Sequence, residues 1–144
     1  SLSHQSDIES KMAQSFSGGC VCGGVRYTAN KLRPLWYCHC EQCRRMTGNF
    51  MAASQVDIAD ISVVGSPKWF YVSEKSRYGF CSECGSQLFW RNDDNDYLSV
   101  TGGSLDASKG LKVGGHIFTC EKAEYVKIPA EELTFLTYWS QPPE

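Results

Sequence analysis

The stretch "SGGCVCGG", Ser17 to Gly24, places two cysteines two residues apart between glycines that permit tight turns beside the thiols. A second pair, Cys81 and Cys84, follows much later in the chain. A structural zinc takes four tetrahedral ligands, and two cysteine pairs supply them. One ion joining the pairs would close a long loop and constrain the unfolded chain as well as the folded one. The stretch therefore predicts a zinc crosslink that fixes the fold, with reduced core cysteines as the alternative.

Length and composition restrict the class of protein. The 144 residues suggest about one domain, and the apolar and charged fractions, 42% and 21%, are close to those of ordinary globular proteins. A net charge of −2 predicts no nucleic-acid partner, and no apolar run predicts a membrane partner. The polar N-terminus lacks the apolar stretch of a secretory signal, which favours a cytoplasmic protein. We expect an N-terminal tail over residues 1–15, with cloning remnants at positions 1 and 2, and a single domain over 16–140.

Short segments rich in β-branched and aromatic residues, separated by turn residues, predict a mainly β fold with little helix. The run "NDDND" before Tyr97 predicts a hairpin turn. Helix is expected only at Cys40–Gly48, where Gly48 would end it, and over Leu105–Lys109. Residues 3–14 fit a tail or a short helix. The predicted strands are "VRYTA", "LWYCHC", "FMAASQVDI", "ISVVG", "KWFYVS", "RYGFC", "QLFWRN", "YLSVTGG", "HIFTC" and "EYVKI".

The remaining cysteine cluster lies in "YCHCEQCRR", Tyr37 to Arg45, and contains Cys38, Cys40 and Cys43. In a cytosolic protein such clusters indicate metal ligands before disulfides. Three protein ligands with an open fourth position are typical of catalytic zinc. The alternative is a closed structural site whose fourth ligand is His39 or Cys120.

Three residues near this cluster have simpler interpretations. On a strand, His39 would face away from its cysteine neighbours, so we expect it to pack or to form a hydrogen bond nearby. A solitary cysteine such as Cys120 is usually an inert buried thiol. His116 fits a satisfied, half-buried histidine better than a catalytic one, although it stays a candidate.

Four motifs resemble one known family. "GGCVCGGVRY", "YCHCEQCRRMTG", "FCSECGSQLFW" and "GHIFTCEKAEYVKI" are similar, in order and separation, to motifs of the glutathione-dependent formaldehyde-activating enzymes, also called the centromere protein V/Gfa domain family. The resemblance covers about Phe16 to Ile128. It implies an Mss4-like fold of short antiparallel strands and two Zn²⁺ per chain. The structural zinc ligands would be Cys20, Cys22, Cys81 and Cys84, and the catalytic zinc ligands Cys38, Cys40 and Cys43.

The resemblance also implies an activity. The family's founding reaction condenses formaldehyde with glutathione to S-(hydroxymethyl)glutathione, which is a carbon–sulfur lyase reaction in reverse. The implied partners are a small thiol and an aldehyde, with glutathione as a co-substrate. The motifs do not indicate which oligomeric state the protein adopts. Two alternatives stay open: a zinc enzyme of this family that uses another thiol or electrophile, and a non-catalytic zinc-stabilised binding module. The lack of a long basic region argues against a chromatin-binding form.

Substrate contacts are predicted less sharply than metal ligands. Arg44 or Arg45 could bind a carboxylate of a glutathione-like ligand, since guanidinium matches carboxylate in a bidentate fork. A solvated surface arginine explains each of them equally well. Several aromatic residues are candidates for the wall of a pocket, with core packing as the simpler interpretation. These are Trp36, Tyr37, Phe50, Phe89 and Trp90.

Overall fold

The computed structural model describes residues 15–138 and contains ten strands and one α-helix in that range. The helix is α1 (Glu41–Thr47), and single 3₁₀ turns cover Ile58–Asp60, Gly102–Ser104 and Thr119–Glu121. No helix within residues 15–138 is long and apolar enough to cross a membrane. The strands are β1 (Ser15–Gly19), β2 (Arg26–Asn30), β3 (Leu35–Cys38), β4 (Met51–Asp57), β5 (Ile61–Val64), β6 (Lys68–Tyr71), β7 (Ser76–Phe80), β8 (Gln87–Asn92), β9 (Tyr97–Thr101) and β10 (Val113–Ile117).

A small antiparallel sheet has the strand order β1-β2-β5. Its central strand alternates in burial, with Tyr27 and Ala29 inside and Arg26, Thr28 and Asn30 outside, as the period of two requires. The strand β1 needs glycine at Gly18, because neighbouring atoms come very close there. A Cβ atom on Gly18 would lie 2.5 Å from the Ser104 carbonyl oxygen and from the Tyr27 hydroxyl.

The larger sheet has seven strands in the order β10-β3-β4-β9-β8-β7-β6. All its pairings are antiparallel except that of β10 with β3, which is parallel. The fold is therefore mainly β, as the sequence predicts, with one exception to the expected antiparallel pairing. The parallel pair places His116 beside Tyr37 and Ile117 beside Cys38.

Buried residues form two clusters. The larger contains residues of both sheets, among them Tyr27, Leu88, Phe89 and the two buried cysteines Cys20 and Cys81. The smaller contains Cys43, Met51 and Tyr78, with Cys38, Cys40 and Trp90 packed against it. Each cysteine group therefore lies against its own part of the core.

Most predicted elements are confirmed. The helix at Cys40–Gly48 is α1, and Gly48 ends it in the left-handed conformation, with its N–H donating to the Arg44 carbonyl at 2.8 Å. The "NDDND" run joins the antiparallel strands β8 and β9. The segment expected to be a tail or short helix, residues 3–14, lies outside the described residues.

The structure differs from the predicted elements at four places. The strand β1 is missing from the predicted strands. The strand predicted at "HIFTC" ends at Ile117, because Phe118 takes a left-handed backbone conformation and a 3₁₀ turn follows. Residues 124–128 form no strand, and Leu105–Lys109 forms no helix. The outer edge of β10 explains the third error. It is occupied by residues 133–137, so the segment 124–128 has no free strand there to pair with.

Candidate functional site

Two groups of cysteine side chains converge in the folded chain. The four-thiol cluster contains Cys20, Cys22, Cys81 and Cys84, and the three-thiol cluster contains Cys38, Cys40 and Cys43. Within each cluster all sulfurs lie within 4.8 Å of one another. All eight cysteines are free thiols, and Cys120 joins neither cluster. The grouping is the one that the sequence spacing predicts.

The four-thiol cluster has the dimensions of a closed metal site. Its Cys22 sulfur lies 3.5 Å from that of Cys20 and 3.6 Å from that of Cys81. Tetrahedral zinc with Zn–S bonds of about 2.3 Å separates its sulfurs by about 3.8 Å. The pairs come from two turns, one between β1 and β2 and the other between β7 and β8. The four residues could therefore hold one metal ion that connects the two sheets.

Backbone and hydroxyl donors point at these sulfurs. The Val25 N–H donates to the Cys20 sulfur at 3.2 Å, and this bond is the main cause that lowers the pKa of Cys20. A contact of 3.2 Å with the Ser86 hydroxyl is the main cause that lowers the pKa of Cys84 to about 5. Because the thiolate is the form that binds metals, this environment favours ligation by Cys20 and Cys84. A backbone hydrogen bond with Gly24 lowers the pKa of Cys22, but hydrogen bonds with the other thiols of the cluster raise it to about 12.

The three-thiol cluster is assembled by the end of β3 and the start of α1. Cys38 is the last residue of β3, and Cys40 is the N-cap of α1, where its sulfur accepts from the Cys43 N–H at 3.4 Å. Hydrogen bonds from the Cys38 and then the Cys43 thiol lower the pKa of Cys40. The same contact with Cys40 is the first cause that raises the pKa of Cys38. Within the cluster these hydrogen bonds favour the thiolate at Cys40 over the thiolate at Cys38.

Tyr78 is a buried neighbour of this cluster that the sequence reasoning missed. Its hydroxyl lies 3.2 Å from the Cys43 sulfur, and burial is the main cause that raises the tyrosine pKa. The phenol therefore stays protonated and can donate to a Cys43 thiolate. Nothing local in "RYGFC" signals this role, because the contact depends on how β7 packs beneath α1.

His39 and His116 form a buried pair next to the cluster. The His39 Nε2 and His116 Nδ1 atoms are 2.8 Å apart, and His39 is fully buried. Burial, and then the charges of His116 and Lys122, lower the pKa of His39 to about 4, so its ring is neutral at pH 7. The His116 Nε2 atom lies 3.6 Å from a carboxylate oxygen of Glu132. His39 therefore packs and forms a hydrogen bond nearby, as expected. His116 is buried rather than half-buried, and its Nε2 atom, like the Nδ1 atom of His39, has no hydrogen-bond partner among residues 15–138.

A cavity of about 270 Å³ borders the three-thiol cluster, and all three of its cysteines line the wall. None of the four-thiol cluster's residues lines this cavity. The candidate wall residues Trp36 and Trp90 lie in the wall, whereas Tyr37, Phe50 and Phe89 do not. Sequence reasoning missed several further wall residues: Gln42, Met51, Ala53, Gln55, Tyr78, Ser99, Ile117, Phe118 and Tyr138.

Three other candidates lie outside the cavity wall. Arg45 forms an ion pair with Glu41 at 3.1 Å on the exposed face of α1, and Arg44 does not line the cavity. Cys120 is exposed, which corrects the expectation of a buried thiol. Within residues 15–138, neither Cys120 nor His39 joins the three sulfurs as a fourth ligand.

Comparison with known proteins assigns the family. The family model described as glutathione-dependent formaldehyde-activating enzyme matches residues 15–121, which include every cysteine of both clusters. The chain belongs to this family. The fold is similar to that in a crystal structure of a Rhodobacter sphaeroides protein, with 22% identity and a TM-score of 0.54. That likeness covers 65% of this chain and 91% of the other, and supports the fold alone. A comparison of the chain with curated proteins finds no match.

Proposed function

We propose that the chain is a zinc-dependent carbon–sulfur lyase of the glutathione-dependent formaldehyde-activating type, which forms or cleaves the C–S bond of a hydroxymethyl thiol adduct. One observation carries the proposal: all three cysteines of the three-thiol cluster line the cavity of about 270 Å³, whereas no cysteine of the four-thiol cluster lines it. A site with three protein ligands beside a space for a ligand is the arrangement of catalytic zinc, and a closed set of four is that of structural zinc.

The donor atoms fit the two metals that the proposal requires. Cys20, Cys22, Cys81 and Cys84 would hold the structural zinc. Cys38, Cys40 and Cys43 would hold the catalytic zinc, which supplies Lewis acidity that favours a thiolate and polarises a carbonyl oxygen. We also place the protein in the cytoplasm, where eight free cysteines stay reduced.

The chain's own residues would position the reactants. Tyr78 fixes the Cys43 sulfur through its hydroxyl, and the N-capping interaction fixes the Cys40 sulfur. The aromatic wall reduces access of water to the space beside the sulfurs. Gln42, Gln55 and Ser99 line the same space and offer neutral hydrogen-bond donors to the oxygen atom of an aldehyde or hydroxymethyl group.

The reaction itself requires no redox step. The substrate sulfur bonds to the aldehyde carbon while the S–H bond and the carbonyl π bond break. The thiol proton is transferred to the former carbonyl oxygen, which becomes the hydroxyl group of the adduct. The reverse reaction releases the thiol and the aldehyde.

Exchange spectroscopy with ¹³C-formaldehyde tests the proposal. The zinc-loaded protein should accelerate exchange between hydrated formaldehyde and the hydroxymethyl adduct of glutathione or another thiol. The Cys40→Ser variant should lose this acceleration, while the matched control Cys120→Ser, in an exposed cysteine outside both clusters, should keep it. The proposal fails if the wild-type protein does not accelerate exchange with any of the thiols tested, or if Cys40→Ser is fully active. The first of these results would favour a non-catalytic binding module.

A further inference from the structure

We propose that the cavity accepts an uncharged thiol with an aromatic or other apolar body, rather than glutathione with its charged ends. This inference rests on the proposed function, because it names the substrate class of the same site. The second substrate would be a small aldehyde such as formaldehyde, and the product would be the neutral hydroxymethyl thioether.

The cavity wall is mainly aromatic and apolar. Five rings line it, in addition to Met51, Ala53 and Ile117. Such rings favour a flat or apolar ligand body, and each aromatic contact adds specificity beyond the buried area. The five aromatic residues are Trp36, Tyr78, Trp90, Phe118 and Tyr138.

Apart from its three cysteines, the wall that residues 15–138 form has no side chain that carries a formal charge at neutral pH. Of residues 15–138, no Asp, Glu, Lys, Arg or His lines the cavity, and its neutral polar side chains are Gln42, Gln55 and Ser99, apart from the tyrosines and thiols. Arg33 contacts one wall residue, because it donates to the Gln55 side chain at 3.0 Å, and it also donates to Asp57 at 2.8 Å. Its charge is therefore already paired with a carboxylate.

Glutathione is poorly matched to this wall. At neutral pH it carries two carboxylates and an ammonium group, and an unpaired charge that leaves water for an apolar site loses much free energy. The volume points the same way. At about 270 Å³ the cavity is just below the range of roughly 300–1,000 Å³ that is typical of drug-sized ligands. A small neutral thiol can place its sulfur at the cluster and bury its whole body.

A matched pair of probes tests the inference. Benzyl mercaptan and 4-(mercaptomethyl)benzoate differ only in one carboxylate. Binding to the zinc-loaded protein is measured by calorimetry and by quenching of tryptophan fluorescence, since Trp36 and Trp90 line the cavity. We expect benzyl mercaptan to bind at least about tenfold more tightly than its carboxylate and than glutathione.

A variant at Gln42 provides the reverse test. Gln42 lies in the exposed first turn of α1 and also lines the cavity, so a cation there can reach a bound carboxylate. Gln42→Arg should reduce the difference in affinity between the carboxylate probe and benzyl mercaptan about fivefold, which is the value of one partly exposed ion pair. The neutral Gln42→Met control should keep the wild-type preference.

The outcomes separate this inference from the proposed function. Equal or tighter binding of glutathione, or no detectable binding of benzyl mercaptan, overturns the inference. Catalysed formaldehyde exchange with glutathione would still support the lyase in that case. Failure of exchange with every thiol refutes the lyase, even if the binding preference holds.

Discussion

Replacing Cys22 and Cys84, one ligand from each pair of the four-thiol cluster, should destabilise the protein far more than the exposure of these two side chains suggests. Cys22 and Cys84 are both exposed, and two exposed substitutions without a special role cost at most about 1 kcal/mol together. If a metal crosslinks the pairs, the double variant Cys22→Ser/Cys84→Ser also loses that crosslink. The expected result is a large loss at two surface positions.

The magnitude follows from the length of the closed loop. Cys22 and Cys81, whose sulfurs are 3.6 Å apart, are separated by 59 positions. Treated like a disulfide, a link across a loop of this length stabilises the folded state by about 4 kcal/mol. Since domains are stable by only about 5–15 kcal/mol, the double variant should lose about a quarter or more of its stability.

Urea denaturation followed by circular dichroism, with zinc present, measures this loss. The control is Cys120→Ser, an exposed cysteine in neither cluster, which should change the free energy of unfolding by less than about 0.5 kcal/mol. A chelator should lower wild-type stability towards that of the double variant. Its effect on the variant should be much smaller, because only the three-thiol cluster still holds a metal there. A loss of 1 kcal/mol or less in the double variant would refute the crosslink.

Three further predictions concern the second cluster and its neighbours. Cys40→Ser keeps an N-capping side chain, so it should stay within about 1 kcal/mol of wild-type stability while metal analysis falls from two zincs per chain to one. Equal unfolding by this variant and by the Cys22→Ser/Cys84→Ser variant would make the second site structural. Tyr78→Phe removes the donor to Cys43 and should weaken zinc at the three-thiol cluster by about 10–100-fold, with the other site unchanged; equal weakening of both would contradict this role. Since the pKa of His39 falls from 6.5 to about 4 on folding, the unfolded chain binds this proton first as the pH drops. Stability should fall by about 2 kcal/mol between pH 7 and pH 5 from this group. Urea denaturation of His39→Asn at the two pH values should show a smaller fall in the free energy of unfolding, without the contribution of His39. A fall equal to that of the wild-type protein would exclude this contribution.

Local patterns were sufficient for most of the strands and for the metal-ligand groups. The alternation at "VRYTA" and the spacing of the cysteines both depend on residues that are close in sequence. The structure shows the alternating burial in β2 and the two cysteine groups. The strand β1 could not be found in this way, because Gly18 resembles a turn residue. Position 18 requires glycine because Ser104 and Tyr27, from other parts of the chain, approach it closely.

The cavity wall depended on pairings that spacing does not reveal. Phe89 and Trp90 are adjacent in sequence, but the strand turns Phe89 into the larger core and Trp90 towards the cavity. Tyr78 reaches the wall because it pairs with Trp90 across β7 and β8. The neutral character of the wall likewise emerges only when these strands assemble, so the expected roles of Arg44 and Arg45 in binding a carboxylate gain no support from it.

The central claim, an open metal position at the three-thiol cluster, is tested most directly by ¹¹³Cd NMR of the cadmium-substituted protein. The account predicts two signals, of which Cys40→Ser removes one and Cys22→Ser/Cys84→Ser removes the other. Addition of benzyl mercaptan should shift only the signal that depends on Cys40. One signal in the wild-type protein, or a Cys40-dependent signal that no thiol shifts, would contradict the account.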